Sequence, residues 1–253
     1  MNEIMSYAPG QWAALAAAAV LIGLTKAGLE GGALIAVPLL AAVFGARASS
    51  GLLLGILMSA DLVAVWSYRR EPSLAHLKRM VPWAALGVLA GALIGGLLPE
   101  RGFKSTMAVL ILVSAVIMAF REFSPARERA PDHWLVNVLL GVAAGFASMV
   151  GNVAGAIMGL YLLSSGLGKG GIIGTSVWFF FIINLIKLPF HVFSWHTATL
   201  GTLLIGVVLL PVTVLSALFG VRLVRRIPEK PYRVFLICAA AAGGAFLLIT
   251  AWL

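Results

Sequence analysis

Two stretches interrupt the apolar pattern of this chain at matching positions: Gly23-Leu-Thr-Lys-Ala-Gly-Leu-Glu-Gly-Gly32 and Gly145-Phe-Ala-Ser-Met-Val-Gly-Asn-Val-Ala-Gly155. Each lies between two apolar runs too short to cross a bilayer comfortably, 11–25 with 31–46 and 134–149 with 152–166. Glycine permits left-handed backbone and close approach of a ligand. Irregular backbone at membrane depth is tolerated only where protein buries it or where it lines a wet cavity. The two breaks therefore point to one internal site, with close helix packing through small residues as the competing reading for any single glycine.

Outward from the breaks the chain is apolar almost throughout. Runs of membrane-spanning length follow at 49–68, 80–98 and 103–120, and again at 170–190, 197–221 and 234–253. With 61% hydrophobic and 11% charged residues and a mean hydropathy of +1.04, a soluble globular domain is excluded. The formal charge of +9 sits in short clusters between the apolar runs, the pattern of orientation signals rather than of a nucleic-acid-binding surface. Cys238, the single cysteine, excludes an intrachain disulfide. No Lys or Arg precedes the first apolar stretch, so the run Ala13–Ala19 reads as a retained membrane segment rather than a cleaved signal.

The chain matches itself at about half its length. At an offset of 123, Gly28, Gly32, Ala33, Leu40, Gly45 and Gly51 fall on Gly151, Gly155, Ala156, Leu163, Gly168 and Gly174, and Asp61 falls on Asn184. At an offset of 129, Pro82, Gly91, Pro99 and Glu100 fall on Pro211, Gly220, Pro228 and Glu229. The change of offset fits a longer connection near 190–197 in the second half. The expected fold is an all-α polytopic membrane protein of two repeats, 1–125 and 126–253, forming one transporter domain. Each repeat holds a Gly-broken helical hairpin plus three transmembrane helices. Whether a broken pair spans twice or dips and returns, it adds an even number of crossings, so each repeat is odd and the two are inverted.

Charge gives an independent test. Connections 69–79 and 222–233 are the most basic and both belong on the cytoplasmic side. Since 222–233 corresponds to 93–104, one span beyond 69–79, only inverted repeats satisfy both. Thirteen basic residues then lie inside against four outside, Arg47, Arg101, Lys104 and Lys187, with Lys26 inside a broken pair. Both termini are expected outside, in a bacterial inner (cell) membrane.

Helices restarting after such breaks aim backbone N–H groups and the positive dipole end at the gap, which favours an anion. The substrate-binding candidates are Thr25, Lys26, Gly28, Glu30, Gly31 and Gly32 at the first break, Ser148, Gly151, Asn152 and Gly155 at the second, and Asn184 and Lys187 on the span that follows. Lys26 would hold the anion by charge, or alternatively pair with Glu30 four residues on. Asp61, with Glu30 as a second candidate, is the carboxylate suited to proton or ion coupling, because burial makes the charged form of an acid costly; pairing with a buried donor is its other reading. Lys187 reads either as snorkelling to the interface or as lining an outer vestibule. His191 and His196 read as interfacial, with no metal site implied.

The segment Gly28-Leu-Glu-Gly-Gly32 with Pro38 downstream, echoed in the second half, resembles the TauE/SafE family of sulfite and small-anion exporters over nearly the whole chain. That family carries a G-x-G-G-G motif with a downstream Pro in each half; here Glu30 replaces a Gly, and Tyr161 stands where a Pro would match Pro38. The resemblance implies transport of sulfite, an organosulfonate or a related sulfur or carboxylate anion, in the direction of export.

The expected function is a secondary transporter working by alternating access, with a passive anion channel and a non-transporting assembly subunit as alternatives. No phosphate loop, zinc-protease motif or nucleophile triad is present, so no enzyme activity and no cofactor are expected. The expected partners are a small anion and the lipid bilayer, not nucleic acid. A proton or sodium ion as coupling ion, and a second copy of the chain, are left open.

Overall fold

In lipid, each backbone polar group must be satisfied within its own segment, so an apolar chain of this kind resolves into helices. The computed structural model describes residues 7–26, 31–69, 72–123, 134–224 and 229–253; among these the chain is helical, with no strand. The order is α1 (Pro9–Lys26), α2 (Gly32–Phe44), α3 (Ala46–Ser67), α4 (Leu74–Leu97), α5 (Glu100–Phe123), α6 (Trp134–Gly151), α7 (Gly155–Ser164), α8 (Lys169–Pro189) running into a π-helical turn (Phe190–Ser194), α9 (Leu200–Val208), α10 (Leu210–Val224) and α11 (Glu229–Trp252). Six segments among the described residues are long and apolar enough to cross a membrane, seven if α9 and α10 count as one span.

Two expectations needed correction. The run 197–221 is not one straight helix: α9 and α10 meet at a 42° bend. Pro211, lacking an N–H and crowding the carbonyl four residues back, accounts for it. The 170–190 run is longer than expected: the helix passes through Pro189 and widens into the π turn, so the apolar span extends from Gly170 to Ser194.

The short helices α2, 13 residues, and α7, 10 residues, measure about 20 and about 15 Å, well short of a bilayer. Gly31 takes a left-handed φ of 106°, and α2 then doubles back along α1. A Cβ on Gly32 would lie 2.3 Å from the Leu21 carbonyl oxygen and 2.5 Å from Thr25 Oγ1.

Helix packing is matched between the halves. α4 lies on α6 as α1 lies on α10, α3 on α9 as α8 on α4, and α2 on α11 as α7 on α5, while α3 packs on α8 and α5 on α11. The correspondence reaches single atoms. A Cβ on Gly145 would meet the Ala84 carbonyl oxygen at 1.9 Å, and one on Gly23 would meet the Thr213 carbonyl oxygen at 2.3 Å. Ala84 and Thr213 stand at the sequence offset of 129.

Helix ends gather on two faces. On one, Tyr7 packs edge-on to Phe44, Glu100 caps α3 by accepting from the Ala46 and Arg47 N–H groups, and Arg101 donates to the Ala251 carbonyl near the end of α11. We call this the terminal face. On the other, Ser73 N–H donates to Thr175 Oγ1, His76 pairs with Tyr161, and Arg233 pairs with Glu122. Between the faces, Leu86, Leu93, Val116, Phe120, Leu215, Phe219 and Ile249 are exposed along the outer flanks, as lipid contact requires.

Candidate functional site

Polar side chains buried in a membrane bundle are costly and must find partners. The largest such group joins four elements. At the end of α1, the Lys26 ammonium forms an ion pair with Asp61 Oδ1 on α3. Asp61 Oδ2 accepts from Asn184 Nδ2 on α8 at 2.6 Å. Asn184 Oδ1 accepts in turn from Lys187 Nζ at 3.1 Å. Lys187 also donates to Asn152 Oδ1 at the second break and, at 3.4 Å, to Ser148 Oγ on α6. Asn152 Nδ2 reaches back to the Ser50 carbonyl oxygen at 3.4 Å.

The two lysines differ in what neutralises them. Lys26 faces a carboxylate, lies 5.7 Å from the Phe180 ring centre and keeps 14% of its side chain accessible. Lys187 is fully buried, and its three partners are neutral oxygens. Its interfacial reading is therefore corrected: the helix continues past it to Ser194, which sets it within the bundle. Counted formally over the described residues, Lys26, Asp61 and Lys187 leave one uncompensated positive charge in the network.

Of the other residues singled out by sequence, Thr25 spends its hydroxyl on the Leu21 carbonyl at 2.9 Å within its own helix. Gly28 and Glu30 lie outside the described residues. Gly31 and Gly32 form the tight turn onto α1. Gly151 ends α6, and Asn152 follows in a left-handed conformation, φ 53°, which asparagine tolerates better than other side chains. Gly155 opens α7, and a Cβ there would meet nothing within 4 Å. The first break is thus packed closed at the head of α2, whereas the second leaves space at the head of α7.

His191 was read from the sequence as interfacial. It is fully buried, one turn beyond Lys187. Its signal was its spacing from Lys187, obscured by the proline between them. Beyond it, Trp195 packs edge-on to His191 and Phe103, donates Nε1–H to the Ala92 carbonyl at 3.0 Å, and lies under the Arg47 guanidinium.

These features define a multi-pass helical membrane protein with a charged, hydrogen-bonded constellation at its centre. The family model described as "Sulfite exporter TauE/SafE" matches residues 15–247, and the chain belongs to that family of sulfite and anion exporters. No curated protein matches it.

Proposed function

We propose that this protein is a secondary transporter that exports a small anion, sulfite, an organosulfonate or a related sulfur or carboxylate anion, by alternating access. The observation that carries this reading is Lys187: a buried ammonium held, among the described residues, by the oxygens of Asn152, Ser148 and Asn184, and tied through Asn184 to the Lys26–Asp61 pair. A net positive charge withdrawn from water is costly. A monoanion entering the network brings its formal charge to zero. A proton on Asp61 adds one positive charge, so protonation and anion binding favour each other, and proton coupling follows from the same count.

Alternating access in this reading uses two inverted halves, 1–125 and 126–253. The matched helix packing supports the inversion, as does the run of the first half from the terminal face to the opposite one and of the second half back again. The basic connections 69–79 and 222–233 then lie in the cytoplasm of a bacterial cell, and the terminal face is outside.

Reconstitution tests the proposal. Purified protein in proteoliposomes is expected to give saturable efflux of sulfite or methanesulfonate, accelerated by a proton gradient, and Asp61→Asn is expected to remove the pH dependence. Conductance far above carrier turnover would identify a channel instead and overturn the reading.

A further inference from the structure

His191 shares with Asn184 and Lys187 one face of the helix running toward the terminal face. It lies in the π-helical turn Phe190–Ser194 that ends this helix. The segment is also where the second half carries its longer connection, so the first half has no equivalent.

The ring is held in one orientation. Nδ1 and Thr197 Oγ1 are 2.8 Å apart, and the His191 carbonyl oxygen accepts from the Thr197 and Ala198 N–H groups at 2.8 and 3.1 Å. The Thr197 hydroxyl has no other acceptor among the described residues. Its hydrogen is used only when donated to Nδ1, which leaves the ring proton on Nε2. That Nε2 is buried and has no partner among the described residues. Buried donors are almost always satisfied, so an unclaimed one calls for a ligand or solvent acceptor.

One helix face therefore offers an ammonium and, one turn on, a free N–H. The carboxylate facing this region, Asp61, is engaged by Lys26 and Asn184. On the far side, beyond Trp195, the Arg47 guanidinium is already paired with Glu100 at 3.8 Å, so its charge is compensated. A buried positive charge beside one unclaimed donor suits an oxyanion, one oxygen of which accepts from His191 while Lys187, whose N–H groups are donated to Ser148, Asn152 and Asn184, supplies charge.

We infer that Lys187 and His191 form a second anion station between the Lys26–Asp61 pair and the terminal face, with Trp195 as its outer wall. The inference rests on the anion-carrier reading. The substrate passes from Lys26 to the station, where a sulfonate or carboxylate oxygen accepts from Nε2–H of His191, and leaves when Trp195 moves aside.

The test uses methanesulfonate as probe on the full chain. In protein labelled with 15N-histidine, the Nε2–H resonance that disappears in His191→Gln is expected to shift on titration. In proteoliposomes His191→Phe is expected to slow maximal efflux about tenfold, while His191→Gln, whose amide N–H reaches the same place, retains at least about half the rate. If His191→Phe does not fold, the resonance shift in the unaltered protein decides alone. An unmoved His191 resonance in protein that binds the probe by thermal shift overturns the station and leaves the carrier reading intact, as does equal loss in the Gln and Phe variants. Failure of sulfite, sulfate, methanesulfonate and acetate all to bind overturns the carrier reading and the station with it.

Discussion

Lys26 and Asp61 stand 35 residues apart and meet as an ion pair; Lys187 and Asn152 meet across the same separation. In each half, then, a residue at the glycine break reaches one on the span that follows, but the first half supplies a carboxylate there and the second an ammonium. The offset of 123 puts Asn184, not Lys187, over Asp61, so the two contacts are one helical turn out of register. That turn lets Asn184 bridge them.

The Lys26–Asp61 pair is expected to stabilise the bundle chiefly by sparing each partner an unpaired charge. Asp61→Ala strands an ammonium that is only 14% accessible and should cost about 3 kcal/mol, at the low end for breaking a buried pair because Lys26 retains some solvent. Adding Lys26→Met should recover much of that loss. Thermal melting of both single variants and the double variant in detergent gives the coupling; additive losses would show that the pair contributes nothing as a pair.

Anion affinity should follow the charge count rather than the identity of any one residue. Lys26→Ala and Lys187→Ala each reduce the network from one positive charge to none, and unit charges 4 Å apart at an effective dielectric of about 20 interact by about 4 kcal/mol. Each single variant is therefore expected to bind sulfite or methanesulfonate at least about tenfold more weakly, a difference of about 1.4 kcal/mol. The double variant Lys26→Ala, Asp61→Asn restores the positive charge on Lys187 and should bind more tightly than Lys26→Ala alone. Calorimetric titration showing the double variant no better than the single one would refute the count.

Two glycines of the second half should separate packing from access. Gly145 presses on the Ala84 backbone, which cannot yield cheaply, so Gly145→Ala is expected to cost about 1–3 kcal/mol and lower the melting temperature. Gly155 faces open space at the head of α7, so Gly155→Ala should leave melting nearly unchanged while slowing transport by narrowing that space. A Gly155→Ala protein with normal efflux would remove this glycine from the path.

Apolar runs and glycine breaks were legible in the sequence because lipid imposes length and glycine imposes backbone freedom, and helix ends fell within a few residues of the runs. Lys26, Asp61, Ser148, Asn152, Asn184 and Lys187 were all singled out, yet their linkage was not, because hydrogen bonds between α1, α3, α6 and α8 depend on helix rotation that spacing alone does not give. The sequence left Lys187 open between the interface and an outer vestibule and read His191 as interfacial, because spacing does not show whether a helix continues past Pro189. The π turn that carries the helix onward is a tertiary outcome, supported by Trp195 and Thr197 from the segment beyond it.

Trp195 offers the last prediction, because it packs on His191 beyond the network, on the side of the terminal face. The indole is 6% exposed and fits against Gly95, where a Cβ would lie 2.6 Å from the ring; the same atom on the neighbouring Gly96 would lie at 3.5 Å, an ordinary contact. Gly95→Ala should therefore displace the indole from the Ala92 carbonyl and from His191, whereas Gly96→Ala should not. If Trp195 closes the path, Gly95→Ala and Trp195→Ala vesicles loaded with methanesulfonate will leak it without a driving gradient, and Gly96→Ala vesicles will hold it. Equal retention by all three would mean that the seal lies elsewhere, since a wall that can be removed without a leak is not the one holding the anion in.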